Sequence, residues 1–445
     1  MSAAPLSWLG IVRLGLVQAC LGSVVVLTSS TLNRVMVVEL GFAAVAAGGL
    51  VAIYHAVQVL RPRFGHGSDV GGRRTPWIIG GMAVLTASGV LAAVAVAWMA
   101  VNPWAGMALA AVAYFLIGVG GGAGGTALLA LTAARVAAER RPAAAAILWL
   151  MMIMGFVVTA ATAGALLDPY SHARLVAVVA VVAATAFVVA VLAVAGLERG
   201  ATARPPEEAG AGTSFRQALH QIWAEREARR FTVFVFVAML AYSAQDLILE
   251  PFAGLAFAMT PGETTKLASL QYTGVLFGMI TIALLGSRGL APKGWMRRWT
   301  VAGCLASSVA LAGLVAAAWW GPGWPLRVNV FALGYTNGVF AVAAIGSMMT
   351  LAGSGVAGRE GVRLGLWGAA QAIASALGGF LGTVIVDLAG LLLASPAAAY
   401  ATVFALEAVL FVVAARIAFE VTAPGATATT DIDARGRLAA PTPGG

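Results

Sequence analysis

Twelve runs of roughly 20 apolar residues, separated by short polar loops, leave this chain few folds to choose from. They fall near 14–32, 41–60, 76–99, 104–131, 143–166, 174–196, 231–257, 266–286, 297–319, 326–352, 364–389 and 397–419. About 20 apolar residues cross a bilayer as a helix. Open sheet edges cannot be satisfied in lipid, and period-two alternation is absent, so the runs read as helices. Only 10% of the residues are charged, against about 25% in a typical soluble domain, which places most of the chain in lipid. The expectation is an all-α membrane protein with twelve transmembrane helices. The least distinct run ends follow the first run, where Asn33, Arg34 and Glu39 interrupt, and the seventh, where Gln245, Asp246 and Glu250 do.

The basic residues then set an orientation. With the N-terminus inside, 23 of the 27 Lys and Arg fall in the N-terminal segment, the even-to-odd loops and the C-terminal tail. Arg34, Arg174, Lys266 and Arg327 fall outside. The opposite orientation inverts that ratio, so both termini are expected in the cytoplasm. The net charge of +9 is therefore a topology signal, and no nucleic-acid partner is implied. Arg13 precedes a first span read as an uncleaved anchor. Cys20 and Cys304 both lie in apolar runs and support neither a disulfide framework nor a metal cluster.

The runs divide six and six. The reading is an N-terminal half over 1–196, a cytoplasmic linker over 197–230, a C-terminal half over 231–420 and a disordered tail over 421–445. In the linker, Ser214 with Gln217 fits a capping box, and Phe215, Ala218, Leu219, Ile222 and Trp223 recur at helical spacing. That pattern suits an amphipathic helix on the membrane surface, in contact with lipid, or a solvated linker helix. The halves echo one another. The first span ends Val37-Val38-Glu39 and the seventh Ile248-Leu249-Glu250, while Trp149 and Trp367 follow similar charged loops. Such echoes suggest two six-helix repeats.

Chemistry-bearing residues are few. Intramembrane ionisable residues are functional candidates by default: Arg34, Glu39, Asp246 and Glu250, with Asp387 and Glu407 further on. Arg34 can also simply neutralise a span-end acid. His55 lies mid-span with Gln58 one turn on, and reads either as a packing residue or as a ligand. Gly118 to Gly125 contains a formal G-x-G-x-x-G, but no strand precedes it. Close helix packing is the favoured reading, with a smooth face for a large flat ligand as the other. No Walker motif, metal-ligand spacing or nucleophile with a base is present.

The loop Gly65-His-Gly-Ser-Asp69-Val-Gly-Gly72-Arg73-Arg74 resembles the loop between spans 2 and 3 of the major facilitator superfamily (MFS). Gly65, Asp69, Gly72, Arg73 and Arg74 match its signature, and Val70 departs where a basic residue is usual. Further strings carry a narrower resemblance: Thr31-Leu-Asn-Arg-Val-Met-Val-Val-Glu-Leu40, Arg73-Arg-Thr-Pro-Trp77, Gln245-Asp-Leu-Ile-Leu-Glu-Pro251 and Gly358-Arg-Glu-Gly-Val-Arg-Leu-Gly-Leu-Trp367. They are similar to the PucC, or bacteriochlorophyll delivery, family, from about residue 10 to 420. The loop from His66 to Trp77 looks most like the branch tied to an accessory chain of bacteriochlorophyll synthase.

That resemblance implies an MFS-like fold in the inner (cytoplasmic or intracytoplasmic) membrane of a phototrophic bacterium. It implies a carrier that delivers bacteriochlorophyll or a precursor, or a factor that assembles light-harvesting complexes, with antenna polypeptides or bacteriochlorophyll synthase as partners and no enzymatic activity. No covalent cofactor is implied, and bacteriochlorophyll would be bound. A prenyl transferase needs acidic arrays that hold magnesium diphosphate, and no D-x-x-x-D stands in any loop. Such a fold would set spans 1, 4, 7 and 10 around a cavity. Candidate lining is then Gly118, Gly121 and Gly122, Tyr242 and Gln245, Tyr335 and Asn337, with His55 as an axial magnesium ligand and Gln58 nearby. Two other functions remain open: a proton-coupled transporter using Glu39, Asp246 or Glu250, and an enzyme subunit of bacteriochlorophyll synthesis.

Overall fold

In the computed structural model of the protein, residues 6–61, 63–64, 73–198, 223, 225–287, 295–353, 360–393 and 395–420 are described. They are helical almost throughout, and no strand occurs among them. In chain order the helices are α1 Trp8–Glu39, α2 Ala44–Leu60, α3 Thr75–Met99, α4 Pro103–Arg135, α5 Arg141–Leu166 and α6 His172–Val194. Then follow α7 Arg226–Phe257, α8 Pro261–Ser287, α9 Trp295–Trp320, α10 Leu326–Gly353, α11 Glu360–Leu392 and α12 Pro396–Glu420.

Among the described residues, eleven helices are long and apolar enough to cross a membrane, and α2 is a shorter apolar helix. Its late start explains the difference from the run expected over 41–60. Gly41 has φ +69°, and Ala43 is extended with ψ 140°, so helix begins only at Ala44. At 1.5 Å per residue, α2 covers about 25 Å, just short of the hydrocarbon core. Conversely, α1 does not stop at Asn33. It continues through two wide π-helical turns, Leu27–Thr31 and Val35–Glu39, of a kind often found at functional sites.

The packing repeats with a period of six helices. α3 packs on α4 as α9 packs on α10, α1 on α5 as α7 on α11, and α1 on α6 as α7 on α12. The halves meet through α5 against α8 and, by the same rule, α2 against α11. Glycine permits the closest approaches. A Cβ on Gly120 would meet the Leu85 backbone nitrogen at 2.5 Å, and one on Gly278 would meet the Val339 nitrogen at 2.9 Å. Helix starts carry their own caps. Asn102 and Ser171 accept from Ala105 N (3.1 Å) and Arg174 N (3.1 Å). Thr260 and Glu263 cap each other's backbone at 3.0 and 3.2 Å, a capping box opening α8.

Several expectations lie outside the described residues: Gly65, Asp69 and Gly72 of the loop signature, the capping box at Ser214 and Gln217, and the tail over 421–445. Arg73 and Arg74 are described and lead into α3. There Glu198, just beyond α6, accepts from Arg74 N (2.8 Å) and Thr75 N (2.7 Å). Residues 226–230, assigned to the linker from sequence, form the first turns of α7 instead.

Candidate functional site

The two sequence strings Thr31–Leu40 and Gln245–Pro251 turn out to face each other, forming a polar seam where α1 meets α7. The reason begins with Pro251 inside α7. Proline has no N–H, so the carbonyl one turn back, Leu247 C=O, loses its helix partner. The Asn33 side chain, 1% exposed, donates to that carbonyl at 2.6 Å. Around this bond the seam closes with further contacts. Ser30 donates to Glu250, Thr31 and Thr265 hydroxyls lie 3.3 Å apart, and Arg34 Nη2 donates to Met259 O at 2.7 Å. Arg34 also pairs with Glu39 on its own helix. Gly254 leaves room for that guanidinium, since a Cβ there would lie 3.0 Å from Arg34 Nη2.

Tyr170, in the loop between α5 and α6, lies within reach of the Arg34–Glu39 pair. Burial, and then the Glu39 carboxylate, push its hydroxyl up to about 12 against the opposing pull of Arg34. Loop, α1 and α7 therefore share one polar cluster at this end of the bundle.

Next to the seam, between the halves, lies a cavity of about 130 Å³. Its walls come from α1 (Val25, Val26, Ser29), α2 (Val51, Ala52, Tyr54, His55), α5 (Phe156), α7 (Met239, Tyr242, Ser243, Asp246, Leu247), α8 (Tyr272) and α11 (Ser375, Ala376, Gly379, Phe380). His55, Tyr242 and Asp246 thus come together from two halves of the chain. Tyr272 stands beside the Asp246 carboxylate, whose Oδ1 is buried without a hydrogen-bond partner. The site combines apolar walls, one imidazole, one carboxyl and several hydroxyls, the usual make-up of a small-molecule pocket.

The remaining candidates are placed elsewhere. Gly118, Gly121 and Gly122 do not line this cavity. A Cβ on Gly118 would strike Val57 Cβ at 2.7 Å, and one on Gly122 would approach Phe64 at 3.1 Å, so these two glycines seat α4 against α2 and the residues after it. Gly121 has more room, with its nearest neighbours, Leu85 and Tyr54, at 4.0 Å. Gln58 accepts from Arg61 Nε at 2.6 Å. Gln245 points into the C-terminal half and accepts from Asn337 Nδ2 at 2.9 Å, and Asn337 in turn accepts from Ser307 at 2.9 Å. Tyr335 lies where α10 crosses α8, its backbone against Gly274 and Gly278. The cavity is lined by helices 1, 2, 5, 7, 8 and 11, so the expected contribution of helices 4 and 10 is absent. Glycine contacts seat α4 on α3 and on α2, and α10 on α8. Sequence reading missed Ser29, Tyr54, Tyr272 and Asn33. A Pro inside an apolar run was the available signal for Asn33, because it announces a carbonyl that needs a partner.

Comparison with known proteins agrees with this architecture. The family model described as PUCC protein matches residues 31–426. The bacteriochlorophyll synthase 44.5 kDa chain of Rhodobacter capsulatus is 50% identical, over 94% of this chain and 96% of the relative. Protein PucC of the same organism is 31% identical, over 94% and 92%. Among solved structures, a nucleoside transporter superposes with TM-score 0.68 at 14% identity, covering 93% of this chain and 99% of the transporter. A D-xylose–proton symporter gives 0.67 at 15% identity, covering 93% and 97%. Both show the fold alone, a multi-pass MFS-like membrane protein. With the family model spanning most of its length and a relative sharing half its residues, the chain belongs to the PucC family.

Proposed function

We propose that this chain carries bacteriochlorophyll or a precursor within the cytoplasmic membrane of a phototrophic bacterium, delivering it to antenna polypeptides or to the synthase, without catalysing a reaction itself. Membership of the family and the name of the bacteriochlorophyll-linked relative support the pigment class. The observation that carries the reading is His55 on the wall of the cavity between the halves, which it shares with apolar groups, Tyr242 and Asp246. A neutral imidazole in such a setting fits the open axial position of a magnesium tetrapyrrole. Tyrosine hydroxyls suit the ring's carbonyl groups.

The volume sets a condition. Pockets that enclose a drug-sized ligand measure about 300–1,000 Å³, so at about 130 Å³ this one must widen before a macrocycle enters. Separation of the halves at the α1–α7 seam is the motion that would widen it. The chain purified from its native membrane should carry a bacteriochlorophyll-like absorption spectrum. His55→Ala should lower bound pigment several-fold at equal membrane abundance, and His55→Asn should retain part of it. Pigment-free wild-type protein, together with unchanged antenna and pigment levels in a deletion strain, rules the carrier reading out.

One observation favours a second reading. The Asp246 carboxyl in the cavity, with an unpartnered oxygen, is the kind of group that a proton-coupled transporter uses. On that reading Asp246→Asn abolishes gradient-driven flux, whereas on the carrier reading pigment delivery needs no gradient.

A further inference from the structure

We propose that a second pocket, at the end of the bundle away from the N-terminus, holds the primary ammonium headgroup of a membrane phospholipid. Its volume is about 300 Å³, against about 130 Å³ for the cavity beside the seam. It forms where α1 runs out, α2 begins, α11 ends and α12 begins, and α7 adds Leu255 to its wall. On α7 it lies eight residues beyond the first cavity (Leu247 to Leu255), and on α11 six residues beyond (Phe380 to Val386). At 1.5 Å per residue that is roughly 9–12 Å. Ser30 and Asn33 of α1, with their bonds to α7, stand in that interval. The two sites are therefore separate.

The lining is apolar except for Asp387 of α11 and Tyr400 of α12. Asp387 accepts from the first N–H groups of α2, Ala44 N at 2.9 Å and Val45 N at 2.7 Å. Those bonds use part of its capacity, since a carboxylate offers about four lone-pair directions. Its charge has no basic neighbour in the pocket: among the described residues no Lys, Arg or His lines it. Tyr400 is 2% exposed, and its ring lies against Phe252 with centroids 6.1 Å apart. Its hydroxyl has no hydrogen-bond partner among the described residues. Three ligand classes can then be compared. A purely apolar ligand would strand both polar groups. An anion would meet the carboxylate with no base to offset it. A primary ammonium donates N–H bonds to the carboxylate and to the phenol oxygen, and the aromatic groups Phe42 and Tyr400 on the wall favour a cation as well.

A lipid, not the water phase, supplies that ammonium. The pocket sits among helix ends, the depth at which headgroups lie. Its rim is apolar and open, with Leu255 and Leu393 44% and 40% exposed and Leu391 and Leu392 exposed beside them. Exposed Trp98, Trp104 and Trp320 stand at the junctions of α3 with α4 and α9 with α10. Those junctions join odd to even helices, as the pocket's own do, and Trp is enriched at such membrane interfaces. Acyl chains leaving the pocket can lie along the exposed leucines, which offer nothing to a small soluble amine. Asp387 belongs to the C-terminal half and the N–H groups it caps belong to the N-terminal half. A headgroup on that carboxylate therefore bears on the contact between the halves.

Native mass spectrometry of the purified full-length chain tests this, with dioleoyl phosphatidylethanolamine, phosphatidylcholine and phosphatidylglycerol offered at equal concentration. The ethanolamine lipid should be retained several-fold over the choline lipid, whose nitrogen carries no N–H, and over the anionic glycerol lipid. Gly390 lines the pocket, and a Cβ there would meet nothing within 4 Å. Gly390→Leu should therefore fill the site at unchanged melting temperature and reduce the ethanolamine lipid to the level of the choline lipid. Tyr400→Phe and Asp387→Asn should each lower its retention several-fold. The Gly390 variant leaves the α2 cap intact, so it decides the matter even where Asp387→Asn unfolds the protein. Equal retention of the three lipids, or full retention in Gly390→Leu and Tyr400→Phe, overturns the site. Glycerophosphoethanolamine bound as tightly as the whole lipid overturns the lipid and assigns the pocket to a soluble amine. Pigment content is not part of the readout, so failure here is distinct from failure of the carrier reading.

Discussion

Asn33 and Pro251 are separated by more than 200 residues and act as one unit. The proline frees a carbonyl, and the asparagine takes it at 2.6 Å. A buried polar group left without its partner costs about 1–3 kcal/mol, while hydrogen bonds between membrane helices average about 0.6 kcal/mol. Asn33→Ala should therefore lower stability by about 1 kcal/mol. Pro251→Ala restores the backbone N–H, so Asn33→Ala should cost less in that background. A double-mutant cycle on thermal unfolding in detergent measures the difference, and zero coupling would remove this role for Asn33. The sequence showed which residue types were out of place in lipid, such as Arg34, Asp246 and His55. It could not show their partners, because a polar residue in an apolar run announces a need and not who meets it. Gln245 illustrates the limit. It neighbours Asp246 in the chain, yet it faces Asn337 in the C-terminal half while Asp246 lines the cavity.

At the scale of elements, the glycine run of α4 has a division of labour that periodicity alone blurred. A Cβ on Gly120 would meet the backbone of α3, while Gly121 has its nearest neighbours at 4.0 Å. Gly120→Ala should thus spread α3 from α4 and cost about 1–3 kcal/mol, with Gly121→Ala close to neutral. Equal expression and melting temperature of the two variants would contradict this packing. The start of α3 offers a pH-dependent test. Burial opposes ionisation of Glu198, but the N–H groups of Arg74 and Thr75, the Thr75 hydroxyl and the Arg74 charge outweigh it and hold its carboxyl below the usual range. A carboxyl depressed in the folded state contributes stability above its unfolded pKa, about 4.3. That contribution is lost as pH falls through the lower folded value. Wild type should exceed Glu198→Gln in melting temperature at neutral pH by an amount equivalent to about 1 kcal/mol or less, given the partial exposure of the group. The gap should close on acidification below about pH 4. A gap that persists there would assign the effect to packing instead of charge.

At the scale of the whole molecule, lipid itself made most of the fold legible. A segment that must satisfy every backbone group internally has one choice, so counting apolar runs came close to counting helices. What the count missed has local causes, as at α2, where the backbone turn at Gly41 delays the helix to Ala44. Orientation is the remaining whole-molecule property, and it rests on charge. Twenty-three of the 27 basic residues collect on one side if the termini are cytoplasmic, and moving that many Lys and Arg across the membrane is strongly disfavoured. The alternation needed to gather them requires α2 to cross despite its length. If α2 lay in the interface instead, everything after it would invert. Its packing between α4 of its own half and α11 of the other argues for crossing, because a helix on the surface could not touch both. Reporter fusions after Arg63 and Arg216 should therefore read as cytoplasmic, and fusions after Asn102 and Pro322 as periplasmic. A cytoplasmic signal at Asn102 with a cytoplasmic N-terminus would mean that one of the first three helices fails to cross, and α2 would be the first suspect.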